Sequence, residues 1–154
     1  MPQLYSLNSS GATHGTATNF WSTDNFEIEI SGASQLKLMK ISAGDIYFEI
    51  SGASDVTGDI AAEDIEFEVS GASSVQLEGS GGDMVIDTSG ASHLRLADFT
   101  VNDADVTLSG ASKGTINLTG RLDAKLSGAS TLEYIGEPAL GEMDITGAST
   151  LKKK

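Results

Sequence analysis

The chain has 154 residues and a formal net charge of −13, from 22 acidic and 9 basic side chains, and it contains no cysteine. Such a balance argues against nucleic acid, whose phosphates need Lys and Arg, and against an anionic membrane surface. Disulfides and thiolate metal sites are excluded, and no apolar run approaches the roughly 20 residues of a membrane span. Charge is unevenly spread: residues 1–112 hold 17 acids and 3 bases, residues 113–154 hold 5 and 6. The opening Met1-Pro-Gln-Leu-Tyr5 lacks a basic-then-apolar signal, so an exported form would carry its signal outside this chain.

From the front, Ser10-Gly11-Ala12-Thr13 is the first copy of a four-residue motif. Seven more follow, starting at Ser31, Ser51, Ser70, Ser89, Ser109, Ser127 and Thr146, at intervals of 18 to 20 residues. A fixed period of this length is the mark of a stacked-repeat architecture. Ahead of the motifs stand Phe26-Glu-Ile-Glu-Ile30, Ile46-Tyr-Phe-Glu-Ile50, Ile65-Glu-Phe-Glu-Val69, Met84-Val-Ile-Asp-Thr88, Ala104-Asp-Val-Thr-Leu108, Leu122-Asp-Ala-Lys-Leu126 and Met143-Asp-Ile145. Their period-two alternation predicts strands with one dry face. A shorter second strand is predicted after each motif, as in Gln35–Leu38, Ser74–Leu77, His93–Leu96 and Thr131–Tyr134. Variable stretches of 5 to 9 residues lead back to the next first strand, and Ile41, Ile60, Phe99 and Leu118 within them are expected core contacts. Gly136, Pro138 and Gly141 predict a loop in the last interval.

No helical period and no Asn-Gly or Asp-Gly hairpin signal is present. Stacking equivalent strands in parallel explains both absences. The reading is an all-β, right-handed parallel β-helix, a solenoid of about seven coils of 18–20 residues each. It forms a single domain over 1–154, with 1–25 as N-terminal coil or cap, 26–151 as regular coils and 152–154 as a lysine tail. Gly11, Gly32, Gly52, Gly71, Gly90, Gly110, Gly128 and Gly147 are the expected corners, since Gly turns the backbone without a Cβ clash. Ala33 and its equivalents are expected to stack where little volume is available, the flanking serines to satisfy turn backbone groups. Ile30, Ile50, Val69, Leu108, Leu126 and Ile145 are expected to form one interior column.

The repeated Ser-Gly-Ala-Ser, the Tyr134-Ile-Gly-Glu-Pro138 segment and the closing Thr146-Gly-Ala-Ser149 before Lys152 resemble the putative auto-transporter adhesin, head GIN domain family. The resemblance implies a parallel β-helix, exported to the cell envelope, periplasm or cell surface of Bacteroidetes-type bacteria, with an adhesin-like role. It transfers no catalytic or ligand residue.

Candidate sites follow from the outward positions. Glu27, Glu29, Glu49, Glu66, Glu68, Asp87, Asp105 and Asp123 are expected to form two acidic columns with neighbours roughly 5 Å apart. Glu29, Glu49, Glu68 and Asp87 are the candidates for weak Ca²⁺ binding, against a plain solvated face that deters side-on aggregation. The calcium-solenoid nonapeptide is not repeated; Gly79-Ser-Gly-Gly-Asp83 only echoes it. Phe20 and Trp21 are candidates for sugar contact, against a role in covering the open end of the core. His14 and His93 share a variable, solvent-facing register. Gly110-Ala-Ser-Lys-Gly114 matches a nucleophile pattern that works only at a strand-to-helix elbow, and a corner present in every coil does not serve that purpose. No cofactor is expected. The leading function is a non-enzymatic, adhesin-like surface module binding an unknown protein or glycan through an extended face, with no nucleic acid partner. The alternatives are a carbohydrate-active β-helix enzyme or a structural spacer; scattered Thr disfavours an ice-binding array. Oligomeric state is left open.

Overall fold

The computed structural model describes residues 6–154. Sixteen strands run in chain order: β1 (Ser6–Ser9), β2 (His14–Trp21), β3 (Phe26–Ile30), β4 (Gln35–Ser42), β5 (Ile46–Ile50), β6 (Asp55–Ala61), β7 (Ile65–Val69) and β8 (Ser74–Ser80). They continue as β9 (Met84–Thr88), β10 (His93–Val101), β11 (Ala104–Leu108), β12 (Lys113–Leu118), β13 (Arg121–Leu126), β14 (Thr131–Ile135), β15 (Ala139–Ile145) and β16 (Thr150–Lys153). Among the described residues there is no helix. The odd strands form one eight-stranded sheet and the even strands another, and every pairing is parallel. One odd and one even strand make a rung, so the β-helix has eight rungs, close to the expected count of about seven. The additional rung is the first, where β1 and β2 pair in register with β3 and β4.

The corner between an odd strand and the next even strand is set by its glycine. Gly71 has φ of 79°, and a Cβ there would run into the carbonyl oxygen of Gly52 one rung below. That carbonyl accepts the amide of Ala72 at 2.8 Å, and the same bond recurs at every corner from Ala33 to Ala148. The alanines do not occupy the tight position: Ala33, Ala53, Ala72, Ala91, Ala111 and Ala129 are exposed. The last serine of each motif is the buried one. Ser34, Ser54, Ser73, Ser92, Ser112 and Ser130 are at most 1% exposed. Ser73 Oγ donates to Ser70 O at 3.2 Å or Gly52 O at 3.3 Å, and accepts the Ser54 amide at 3.4 Å. Hydroxyls thereby satisfy turn carbonyls inside and between rungs, at about 1 kcal/mol net per bond.

Apolar columns fill the shaft. Ile30, Ile50, Val69, Thr88, Leu108, Leu126 and Ile145 lie in continuous register. Thr88 interrupts the column: it is fully buried and its hydroxyl has no hydrogen-bond partner. Phe48 and Phe67 stack with ring centroids 4.8 Å apart. Ile41, Ile60, Phe99 and Leu118 are buried as expected. The even strands run further than the sequence pattern predicts: β4, β6 and β10 extend through the variable stretches, absorbing unequal lengths at irregularities between Leu38 and Ile41 and between Arg95 and Asp98. Lys40 takes a positive φ of 56° at the first of these. The loop expected over 136–141 is likewise shorter, because β15 begins at Ala139 and Gly141 lies inside it.

On the last rung Leu140 and Ile145 are exposed at 53% and 43%. Lys153 falls in register with Tyr134, which packs against the core, and so takes an inward position where lower rungs place Ile116 and Leu96. Its ammonium pairs with Glu137.

Candidate functional site: two outer faces

Strand alternation sends every second side chain outward, so each sheet displays two central columns. On the odd sheet one column reads Asn8, Glu29, Glu49, Glu68, Asp87, Thr107, Lys125 and Asp144. Four consecutive carboxylates, Glu29 to Asp87, stand in direct register there. The other expected acidic column is broken. Tyr47 stands between Glu27 and Glu66, and Val85 between Glu66 and Asp105. Across both columns nine carboxylates face one lysine.

This face partly relieves its own repulsion. Asn8 Nδ2 donates to Glu29 Oε2 at 3.1 Å, and Tyr47 Oη donates to Glu68 Oε2 at 2.6 Å. The Glu68 bond, then burial, then the charges of Glu68, Glu49 and Glu66 push the Tyr47 hydroxyl far above its usual range. Arg121 brackets Asp123 at 2.9 Å, and that bond together with the Glu142 amide holds the Asp123 carboxyl below the usual carboxylate range.

A third acidic column lies beside these, at the turn before each odd strand: Asp45, Asp64, Asp83 and Asp103, continuing from Asn25. Their side chains hold the neighbouring rung, as when the Asp83 amide donates to Asp64 Oδ1 at 3.0 Å and the Arg121 amide to Asp103 Oδ1 at 2.7 Å. Asn25 Oδ1 accepts the Asp45 amide in the same way. The signal was present in the chain, as an Asp directly ahead of Ile46, Ile65, Met84 and Ala104. Among the described residues no three His, Cys, Asp or Glu side chains converge as a metal ion needs.

The even sheet differs in chemistry. Its inner outward column reads Thr16, Lys37, Thr57, Gln76, Arg95, Thr115, Glu133 and Lys152, with every neighbour in register. From Thr16 to Thr115 it contains no acid. The adjoining column, from His14 through Gln35, Asp55, Ser74, His93 and Lys113 to Thr131 and Thr150, holds one acid and one lysine. Two shallow depressions follow these columns and meet at Gln76, one from His14 to Ser74 and one from His93 to Lys154. Together they run along the rod as a trough, whose lining also includes Asp55 in the first depression and Asp98 in the second. Thr115 lies on its floor, only 8% exposed although it points outward.

Near the top of the trough Glu133 sits 3.6 Å from Lys113 and 3.4 Å from Lys152. Burial opposes its ionisation, but Lys152, Lys113 and Lys154 outweigh that and hold its carboxyl below the usual range. Arg95 and Lys37 have no ion-pair partner among the described residues. Sequence reasoning missed this stripe, because its members share no residue type and show themselves only when columns are aligned.

The other candidates separate. Phe20 packs on Phe26, centroids 5.1 Å apart, and covers core. Trp21, 73% exposed, does not cover the end of the shaft as expected. His14 and His93 are exposed in the variable column. Ser112 of the nucleophile-like pattern is buried, its hydroxyl donating to Ser109 O at 2.9 Å.

A family model described as putative auto-transporter adhesin, head GIN domain matches residues 1–138. No curated protein and no solved structure matches the chain.

Proposed function

The chain belongs to the putative auto-transporter adhesin, head GIN domain family, and on that premise we propose that it is a non-enzymatic, exported module of the cell envelope or surface that holds its partner or glycan along the even sheet. The observation that carries this reading is the trough from His14 to Lys154, whose central column is free of acid from Thr16 to Thr115 in a chain of net charge −13. Solenoids act through extended surfaces, and eight rungs offer a strip roughly 34 Å long at about 4.8 Å per step. Function on such a scaffold is argued from the face and its chemistry.

The test is capture from a glycan array and from cell-envelope extract by three proteins: the parent, a Lys37→Glu/Arg95→Glu variant, and a Glu49→Gln/Asp87→Asn variant. The reading expects the trough variant to lose capture and the odd-face variant to keep it. Loss by the odd-face variant alone would move the binding surface to the other sheet. Empty captures from all three proteins would favour a spacer, and turnover of a polysaccharide would overturn the non-enzymatic reading.

A further inference from the structure

We propose that the trough of the even sheet is a binding site for a linear polysaccharide that carries carboxylates at intervals, a uronic-acid-containing glycan. This inference rests on the reading of that sheet as the binding face and adds the chemical class of the ligand.

The trough is long, narrow and follows one column, which suits a linear polymer rather than a compact ligand. Its chemistry is mixed in a particular order. Lys37 and Arg95 are three rungs apart, and the rungs between them present the Thr57 hydroxyl and the Gln76 amide. Thr115 and Lys113 continue the pattern on the next rung. Hydroxyl and amide groups hydrogen-bond sugar hydroxyls, while a guanidinium takes a carboxylate bidentately. Arg95 is available for that role, since among the described residues it pairs with no carboxylate.

The flanks select against a denser polyanion. Asp59, Glu78 and Asp98 form an acidic column along one side of the trough, and Asp98 lines it beside Arg95. A nucleic acid strand brings a phosphate at every nucleotide and needs cations to match, whereas this strip offers Lys37, Arg95, Lys113 and Lys152 over seven rungs beside a row of acids. Aromatic platforms for stacked bases are also missing from the columns that line the trough. Glu133 adds a second selecting element. It pairs with Lys113 and Lys152 and offsets part of their charge, so the trough cations without an ion-pair partner among the described residues are Lys37, Arg95 and Lys154.

The experiment is calorimetric titration of the full chain with oligogalacturonate, with an uncharged dextran oligomer of similar length, and with oligo-uridylate. Oligogalacturonate binding is expected, weakening roughly tenfold between 50 and 200 mM salt if about two cations engage. Arg95→Gln is expected to weaken it about tenfold, as loss of a hydrogen bond to a charged group does. Glu133→Gln is expected to strengthen it about threefold, and Glu66→Gln on the other sheet to leave it unchanged; the fold of all three variants is checked by melting temperature. Equal binding of dextran and oligogalacturonate, or Arg95→Gln with parent affinity, would overturn the anionic class while sparing the binding face. Tighter binding of oligo-uridylate would overturn it in favour of nucleic acid. Absence of oligogalacturonate binding overturns this inference, and only empty capture from envelope extract as well would reach the reading beneath it.

Discussion

The two sheets are built on one plan and wear opposite surfaces. Both stack eight parallel strands over a shared core, and both turn two central columns to solvent. In the two central columns of the odd sheet nine carboxylates stand against one lysine; in those of the even sheet Asp55 and Glu133 stand against Lys37, Arg95, Lys113 and Lys152, with Asp59, Glu78 and Asp98 in register beside them. Core packing cannot produce this difference, because the inward residues are alike. Outward positions are free to vary without touching the fold, so the contrast reports on what each face meets. An acidic face repels other copies and sheet edges. On the even sheet only the single column from Thr16 to Thr115 is free of acid, and it is there that unpaired cations stand.

The largest expected effect comes from breaking the register that keeps the two faces apart. Gly71→Ala places a Cβ against the Gly52 carbonyl at a positive φ. It should cost about 3 kcal/mol or more, read by denaturant unfolding, since the left-handed penalty of about 1–2 kcal/mol adds to a backbone clash. Parent stability in that variant would mean that the corner does not set the stacking. Thr88→Val should raise stability by about 1 kcal/mol, because it removes a buried hydroxyl that no group accepts from or donates to. A fall instead would show that the hydroxyl has a partner. Glu49→Gln, which separates Glu29 from Glu68 in the column, should add about 0.5 kcal/mol at low salt and less at high salt. The matching Gln76→Thr change on the even face should leave stability unaltered, and equal responses on both faces would erase the electrostatic contrast.

The smallest effect is a pH dependence confined to the upper rungs. Asp123 and Glu133 are held below their usual range in the folded chain, so the stability they contribute is present above the unfolded carboxylate value near 4 and is lost as pH falls through the folded value. Glu133→Gln should therefore flatten part of the melting-temperature decline below pH 4. An unchanged slope would deny Glu133 its place between the two lysines.

Much of the plan was legible in the chain. The eight glycines fixed the rungs, and the column from Ile30 to Ile145 is visible once they are aligned, including the polar gap at Thr88. The even strands were read too short because Met39, Lys40 and Asp59 spoil the alternation where β4 and β6 absorb unequal interval lengths. Alanine was given the tight corner on size alone, yet hydrogen bonding decided it: a buried turn carbonyl needs a donor, which Ser73 supplies and Ala72 cannot supply from its side chain. The acidic columns were overdrawn by counting acids rather than following one position, which would have exposed Tyr47 and Val85. The even stripe stayed hidden for the converse reason, since Thr, Lys, Gln and Arg form a pattern only by what they omit.

Lys153 has a consequence for growth of the rod. A second copy of the chain pairing with β16 would cover the register position of Lys153 above Tyr134 and crowd the ammonium in its pairing with Glu137, which disfavours that contact. Leu140 and Ile145 stand exposed on the same rung, so a charge guards the apolar surface that would otherwise invite a partner strand.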